Sequence, residues 1–289
     1  MIPPLISSVS DVRKHLDPIR RGGSRIGLVP TMGALHAGHA ANIERARSEC
    51  DFVVVSIFVN PLQFGPSEDY QRYPRPLEKD MALCAEHGTD LVFAPTATDM
   101  YAEPQLAFVE VTKLDKHLCG SFRPGHFRGV ATVVLKLFNI VQPDAAYFGE
   151  KDYQQLSIIR RLVLDFNLNL EIVPVTTVRE SDGLALSSRN TYLQATERAA
   201  APLLYRALML AKKKIESGEA DAEKVRAAAA QMLATDPQIR VEYFEIVDPD
   251  EVQPVKTISG PVRIAAAIWV GNTRLIDNIA ATGVPHNET

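Results

Sequence analysis

The regular alternation of two patterns constrains this chain most. Residues 25–29 and 51–59 are apolar runs rich in β-branched side chains, and turn residues bound each of them. Such runs suit strands buried on both faces, as in a parallel sheet. Between them, residues 38–49 read as a helix that returns the chain, so the three segments form one βαβ unit. The order then repeats. A helix over 77–87 precedes a strand over 91–95, and Val130, Val133, Val134, Leu137, Phe138 and Val141 fall at helical spacing. Residues 145–148 read as the next strand, Leu156, Ile159, Val163 and Phe166 mark another helix, and 171–178 close the series as a strand. This order predicts an α/β fold with a Rossmann-like doubly wound parallel sheet, in which ligands bind beyond the carboxyl ends of the strands.

Past residue 180 the pattern changes to two Ala/Lys/Glu-rich helices, over 196–216 and 220–234, and strands over 241–247 and 262–270. That is a smaller α+β domain. A chain of 289 residues exceeds the usual single core. The division is set at 1–180, the Rossmann-like domain that would hold the ligand, and 181–289, the smaller α+β domain that would close over it. A net charge of -4 argues against a broad nucleic-acid or anionic-membrane footprint and for a small ligand. Cys50, Cys84 and Cys119 match neither a disulfide framework nor paired zinc spacing, so they read as reduced core residues. The start, Met1-Ile2-Pro3-Pro4, lacks a secretory pattern and the longest apolar run, 52–59, is too short to span a bilayer; a cytoplasmic location is expected.

The sharpest local motif is Pro30-Thr31-Met32-Gly33-Ala34-Leu35-His36-Ala37-Gly38-His39, running from a strand into a helix. Its glycines let backbone approach a ligand, and the helix start offers N–H groups and a positive dipole end to phosphate. His36 and His39, three residues apart, can face the same phosphates and donate to a leaving pyrophosphate. Taken alone, H-x-G-H is as readily a turn with two surface histidines; its place at a strand end raises the functional reading. The loop is neither a P-loop nor a dinucleotide G-x-G-x-x-G, which weakens kinase-like transfer and hydride chemistry.

Three further segments lie where strands end or domains meet. Gln63, in Asn60-Pro61-Leu62-Gln63-Phe64, taken alone reads as a turn glutamine in a Pro-containing loop, but at a strand end it offers a neutral amide that can hold a hydroxy acid without clamping its carboxylate. Gly149-Glu150-Lys151-Asp152-Tyr153-Gln154-Gln155 combines a close-approach glycine, a lysine for phosphate, an aspartate for ribose hydroxyls and a glutamine one turn on. Leu184-Ala185-Leu186-Ser187-Ser188-Arg189-Asn190 supplies two hydroxyls and a guanidinium with no acidic residue among them.

Together with Phe122-Arg123-Pro124-Gly125-His126-Phe127-Arg128-Gly129-Val130, these motifs resemble the pantothenate synthetase family from about residue 29 to 190, within the H-x-G-H nucleotidyltransferase superfamily. The resemblance implies that ATP meets Met32, Gly33, Ala34, Leu35, His36, Ala37, Gly38, His39, Gly149, Glu150, Lys151, Asp152, Val178, Leu186, Ser187, Ser188 and Arg189. His36, His39, Lys151 and Arg189 would carry catalysis, and Gln63 and Gln155 would bind pantoate. It further implies an AMP-forming ligase that joins pantoate and β-alanine through pantoyl adenylate, a homodimer, and Mg2+ accompanying ATP with no dedicated metal cluster. Pro76 stands where the family's threonine is expected, in the loop before Asp80, a candidate for contact with magnesium. The competing reading is a nucleotidyltransferase that adenylylates a phosphorylated alcohol, against which the neutral Gln63 and Gln155 count.

Overall fold

The computed structural model describes residues 2–66, 68–101 and 104–284. Its elements are, in chain order, β1 (Leu5–Ile6), α1 (Val9–Arg21), β2 (Ile26–Thr31), α2 (Ala37–Glu49), β3 (Phe52–Ile57), α3 (Leu77–Glu86), β4 (Leu91–Phe93), α4 (Ala97–Met100), α5 (Cys119–Phe122), α6 (His126–Val141), β5 (Ala145–Gly149), α7 (Tyr153–Asp165) and β6 (Glu171–Val175). Then follow α8 (Ala195–Ala200), α9 (Leu203–Glu216), α10 (Ala222–Leu233), β7 (Ile239–Val247), β8 (Pro261–Val270) and β9 (Thr273–Thr282). The chain divides into two compact units, one of Met1–Val111, Arg123–Glu150 and Ile158–Thr176, the other of Thr112–Phe122, Lys151–Ser157 and Thr177–Thr289.

In the first unit the described residues form a six-stranded sheet in the order β1-β4-β3-β2-β5-β6, parallel throughout. Val53, Val54 and Val55 are each fully buried, which is why β3 reads as an unbroken apolar run and not as an alternation. The strand order reverses between β2 and β5. That switch point is where a doubly wound sheet opens a crevice, and the loop 32–36 leaves β2 there. The core includes Val29, Ile43, Val55, Val92 and Tyr147. Cys84 lies in it, and burial pushes its thiol up to about 11.

In the second unit β7, β8 and β9 form an antiparallel sheet whose apolar cluster includes Leu204, Leu208 and Ile215 of α9, Val225 and Leu233 of α10, and Ile264, Ile268 and Leu275. The fold class read from the sequence, a parallel doubly wound sheet with a separate α+β region, is the observed one. Some elements differ. The single helix expected over 196–216 is broken in two around Pro202, which has no N–H to continue the ladder and stands at the N-cap of α9. β9 has no counterpart in the sequence pattern, because Asp277 and Asn278 in its middle are turn-favouring residues. β6 stops at Val175, short of Val178. No helix among the described residues is long and apolar enough to cross a membrane.

Candidate active site

In the first unit the loop after β2 is shaped by its backbone. Gly33 has φ +79°, and a Cβ there would stand 2.9 Å from Asp80 Oδ2 and 3.1 Å from a methyl of Ile57, so only glycine fits. Ala34 is also left-handed, with φ 50°. Asp80, 1% exposed, holds this conformation: its Oδ2 accepts from the N–H of Ala34 at 3.0 Å and its Oδ1 from that of Leu35 at 2.7 Å. Burial raises the Asp80 carboxyl above its ordinary value, and the two N–H donors only partly offset this. Pro76 is the N-cap of α3 and gives it no side-chain cap. The helix still starts in place, because Asp80 N–H bonds the Pro76 carbonyl at 3.0 Å.

The two histidines then cap α2. His36 is the N-cap residue; its Nδ1 accepts from Gly38 N–H at 3.1 Å, while Nδ1 of His39 accepts from His36 N–H at 3.2 Å. Their ring centroids are 4.2 Å apart. Because each Nδ1 is an acceptor, each neutral imidazole carries its proton on Nε2. The cap thus satisfies two N–H groups at the helix start and sets both rings in one tautomer.

Gln63 ends a 3-10 turn after β3 and is buried. Its amide donates to Met32 Sδ at 2.9 Å and accepts from Asn60 Nδ2 at 3.1 Å, which ties it to the loop of the histidines. Asn60 is itself held by Tyr101 Oη at 2.7 Å and by the Gly129 carbonyl at 3.1 Å. A Cβ on Gly129 would lie 2.1 Å from the Leu62 carbonyl oxygen, so the glycine lets α6 press against this turn. The Gln63 carbonyl meets His126 Nδ1 at 2.8 Å and accepts from Arg123 at 3.3 Å, and Arg123 in turn pairs with both oxygens of Glu68. The run 122–130, which the sequence offered only as a family resemblance, is thus the scaffold of the Gln63 turn. Tyr101 had no sequence signal beyond residue type, and the bracing roles of Asn60 toward Gly129 and of Asp80 toward the loop were hidden because those partners lie far along the chain.

In the second unit Lys151 is partly exposed, and its carbonyl accepts from Asn278 Nδ2 at 2.8 Å. Asp152 is exposed and Gln155 partly exposed, in the first turn of α7. Gln154, buried beside it, donates to the carbonyls of Leu114 and His117 at 2.8 and 2.7 Å and so ties in residues 112–122. Val178 and Leu186 are brought together: Leu186 N–H bonds the Val178 carbonyl at 3.0 Å, as Arg179 and Ala185 face each other across a hairpin. Ser187 caps the following 3-10 turn, accepting from Arg189 N–H at 3.3 Å, and Asn190 Nδ2 bonds the Ala185 carbonyl at 3.1 Å. Val178, Leu186, Ser187, Ser188 and Arg189 therefore share one short structure. Gly149 ends β5 and Glu150 opens the 3-10 turn that follows, both in the first unit, so the residues of this segment are divided between the units.

Among the described residues no group of three or more His, Cys, Asp or Glu side chains stands together as a metal site. The chain matches the family model described as Pantoate-beta-alanine ligase over residues 4–280. It is 52% identical over 275 residues to the pantothenate synthetase of Moorella thermoacetica, covering 95% of this chain and 97% of that one. To that of Thermotoga petrophila it is 50% identical over 274 residues, covering 95% and 98%. Among solved structures it is similar to pantoate-beta-alanine ligase (pantothenate synthetase) from Thermus thermophilus, with a TM-score of 0.91, 48% identity, and 96% and 98% of the two chains covered. It is also similar to pantoate-beta-alanine ligase from Francisella tularensis, solved in complex with beta-gamma ATP and beta-alanine, with a TM-score of 0.79 at 36% identity and 96% and 97% covered. With the family model, the relatives and the solved structures agreeing over nearly the whole length, the chain belongs to the pantoate–β-alanine ligase family.

Proposed function

We propose that this chain joins pantoate to β-alanine in two steps driven by ATP. A pantoate carboxylate oxygen attacks the α-phosphorus of ATP, the bond to the bridging oxygen breaks, and pyrophosphate leaves. The amine of β-alanine then attacks the acyl carbon of pantoyl adenylate, loses a proton, and expels AMP. The observation that carries this reading is the pair of capped histidines: His36 and His39 are oriented so that both Nε2 protons can donate as negative charge grows on the leaving pyrophosphate. Around them, the Met32, Gly33, Ala34, Leu35, Ala37 and Gly38 backbone allows close approach of ATP to the positive end of α2.

In this reading Lys151 and Arg189 bring positive charge to the triphosphate, Gly149, Glu150 and Asp152 meet the adenosine, and Val178, Leu186, Ser187 and Ser188 complete the ATP wall. Gln63, held by Asn60 and Met32, and Gln155 bind pantoate. Neutral amides suit this role, because a cation on the carboxylate would weaken the nucleophile. Magnesium accompanies ATP and reduces its charge. It is held largely by phosphate oxygens and water. A cytoplasmic homodimer goes with the family. Adenylylation of a phosphorylated alcohol is not favoured, given the family membership and the neutral amide at Gln63. The test is incubation with ATP, magnesium and pantoate. Pyrophosphate is expected without β-alanine, and AMP and pantothenate once it is added; ADP and phosphate would overturn the adenylate route.

A further inference from the structure

The middle of β9 carries two buried polar residues, Asp277 and Asn278, at 3% and 4% exposure. Adjacent strand residues point to opposite faces of a sheet. Asp277 shares its face with Leu275, Ile279 and Ala281, which pack in the apolar cluster beneath α9. There it receives Arg179 in a two-point ion pair, at 2.6 and 2.9 Å. Arg179 also donates to the Gly183 carbonyl at 3.0 Å and lies over the Tyr205 ring, 4.3 Å from its centroid. This guanidinium therefore closes the hairpin that leads into Ser187, Ser188 and Arg189. On the other face, Asn278 donates to the Lys151 carbonyl at 2.8 Å and accepts from Arg263 Nε at 2.6 Å, and Arg263 lies 4.0 Å over the ring of Tyr153, two residues beyond Lys151.

Stability alone does not account for this arrangement. Replacing a buried ion pair by apolar residues of similar size is often neutral or stabilising, and Asp277's neighbours Leu275, Ile279 and Ala281 on that face are apolar. What the polar pair supplies is geometry: one strand grips two segments, one on each of its faces, and both carry residues assigned above to ATP. We infer that Asp277 and Asn278 are positioning residues for adenylation, which hold the Lys151 backbone and the 178–189 hairpin in register with each other. The inference rests on the reading that Lys151 and Arg189 meet the triphosphate.

The probe is Asn278→Asp, which keeps the size and the acceptor for Arg263 but replaces the donor to the Lys151 carbonyl with an oxygen. Pyrophosphate release from ATP and pantoate is measured beside amide formation from supplied pantoyl adenylate, with circular dichroism and thermal unfolding to establish folding. A misplacement of this kind is expected to slow adenylation by about a hundredfold. Amide formation should change far less. Lys151→Ala combined with Asn278→Asp should be no slower than Lys151→Ala alone, since a residue acting through Lys151 has nothing left to position. Should Asn278→Asp not fold, Asp277→Asn carries the test on the opposite face. It keeps the shape, removes the counter-charge of Arg179, and should raise the ATP KM while amide formation stands. A folded Asn278→Asp enzyme with normal adenylation beside a slow Lys151→Ala enzyme would overturn the positioning role alone, as would losses that multiply in the double variant. Normal adenylation by Lys151→Ala would instead remove the site reading itself, and the inference with it.

Discussion

The loop 32–39 of the first unit and the hairpin 178–189 of the second are both proposed to meet ATP, yet they are held by different means. The first is fixed mostly from within. Left-handed Gly33 and Ala34 make the turn, His36 and His39 cap their own helix, and one distant residue, Asp80, binds two of its N–H groups. The second depends on guanidinium groups. Arg179 crosses to Asp277, and Arg198 pairs with Glu180 and Asp182 at the turn itself. Backbone geometry written in consecutive residues gives a rigid cradle that depends little on charge. A hairpin pinned by ion pairs can be adjusted from elsewhere, at the risk of losing its place when one partner changes.

Both regions are expected to serve the same chemical step. His39→Ala in the first and Lys151→Ala in the second should each remove about 2.7 to 4 kcal/mol of transition-state stabilisation. That is roughly a hundred- to thousandfold in adenylation rate. Amide formation from supplied pantoyl adenylate should suffer less, because that step no longer expels pyrophosphate. Separate measurement of the two half-reactions on folded variants decides this. Equal loss in both halves would recast these residues as general positioning groups, and unimpaired adenylation would remove them from the site.

A smaller effect isolates the brace of the first region. Asp80→Asn keeps the shape but turns one acceptor into an amide that faces a buried N–H, for a cost of about 1 to 3 kcal/mol. The expected result is a lower denaturant midpoint together with a higher ATP KM, since the same carboxylate supports the fold and the loop. Lost stability with an unchanged KM would mean that the loop keeps its form without Asp80. That would make the first region still more self-contained.

How much could be read in advance follows from the same contrast. The parallel sheet was legible because β2 and β3 are buried on both faces and announce themselves as apolar runs. The H-x-G-H loop was legible because its geometry is local: glycine, cap and helix start lie within eight residues. The brace supplied by Asp80 was not, for its partners stand 45 and 46 residues away and an aspartate beside Glu78 in the first turn of a helix reads as dipole compensation. Asp277 and Asn278 even point the wrong way, because polar residues that favour turns hide the strand containing them. Arg123 and His126 stand out as part of a family run, but their task of holding the Gln63 carbonyl is visible only in three dimensions.

The two glutamines, one in each unit, extend the comparison to the second substrate. Gln63→Ala or Gln155→Ala should weaken the use of pantoate by about 1 to 3 kcal/mol per lost buried partner, with ATP nearly unaffected. Steady-state KM values for both substrates test this. For Gln63 a sharper outcome is available, because its amide also touches Met32 in the loop 32–39. A rise in both KM values for Gln63→Ala, against a rise for pantoate alone in Gln155→Ala, would show that the first region couples the two substrates through that contact.

The smallest effect concerns a place where the first unit also relies on an ion pair. Arg123 donates to Glu68 Oε1 at 2.8 Å and Oε2 at 2.6 Å while it reaches the Gln63 carbonyl. Burial by itself raises the Glu68 carboxyl, but the hydrogen bonds and charge of Arg123 outweigh it and leave the group below its ordinary value of 4.5. A carboxylate whose folded value is depressed adds stability that is fully present above its unfolded value and is lost as pH falls through the folded one. The pair is mostly buried, with Arg123 15% and Glu68 23% exposed, so the cost of desolvation cancels much of its attraction and leaves a net contribution on the order of 1 kcal/mol. Glu68→Gln should therefore melt slightly below the parent protein near neutral pH, and the gap should close as pH falls below 4.5. Thermal unfolding of both proteins over that range reads the difference directly. A gap that persists in acid would mean that Glu68 acts by shape and not by charge, leaving the Gln63 turn as independent of ion pairs as the loop 32–39.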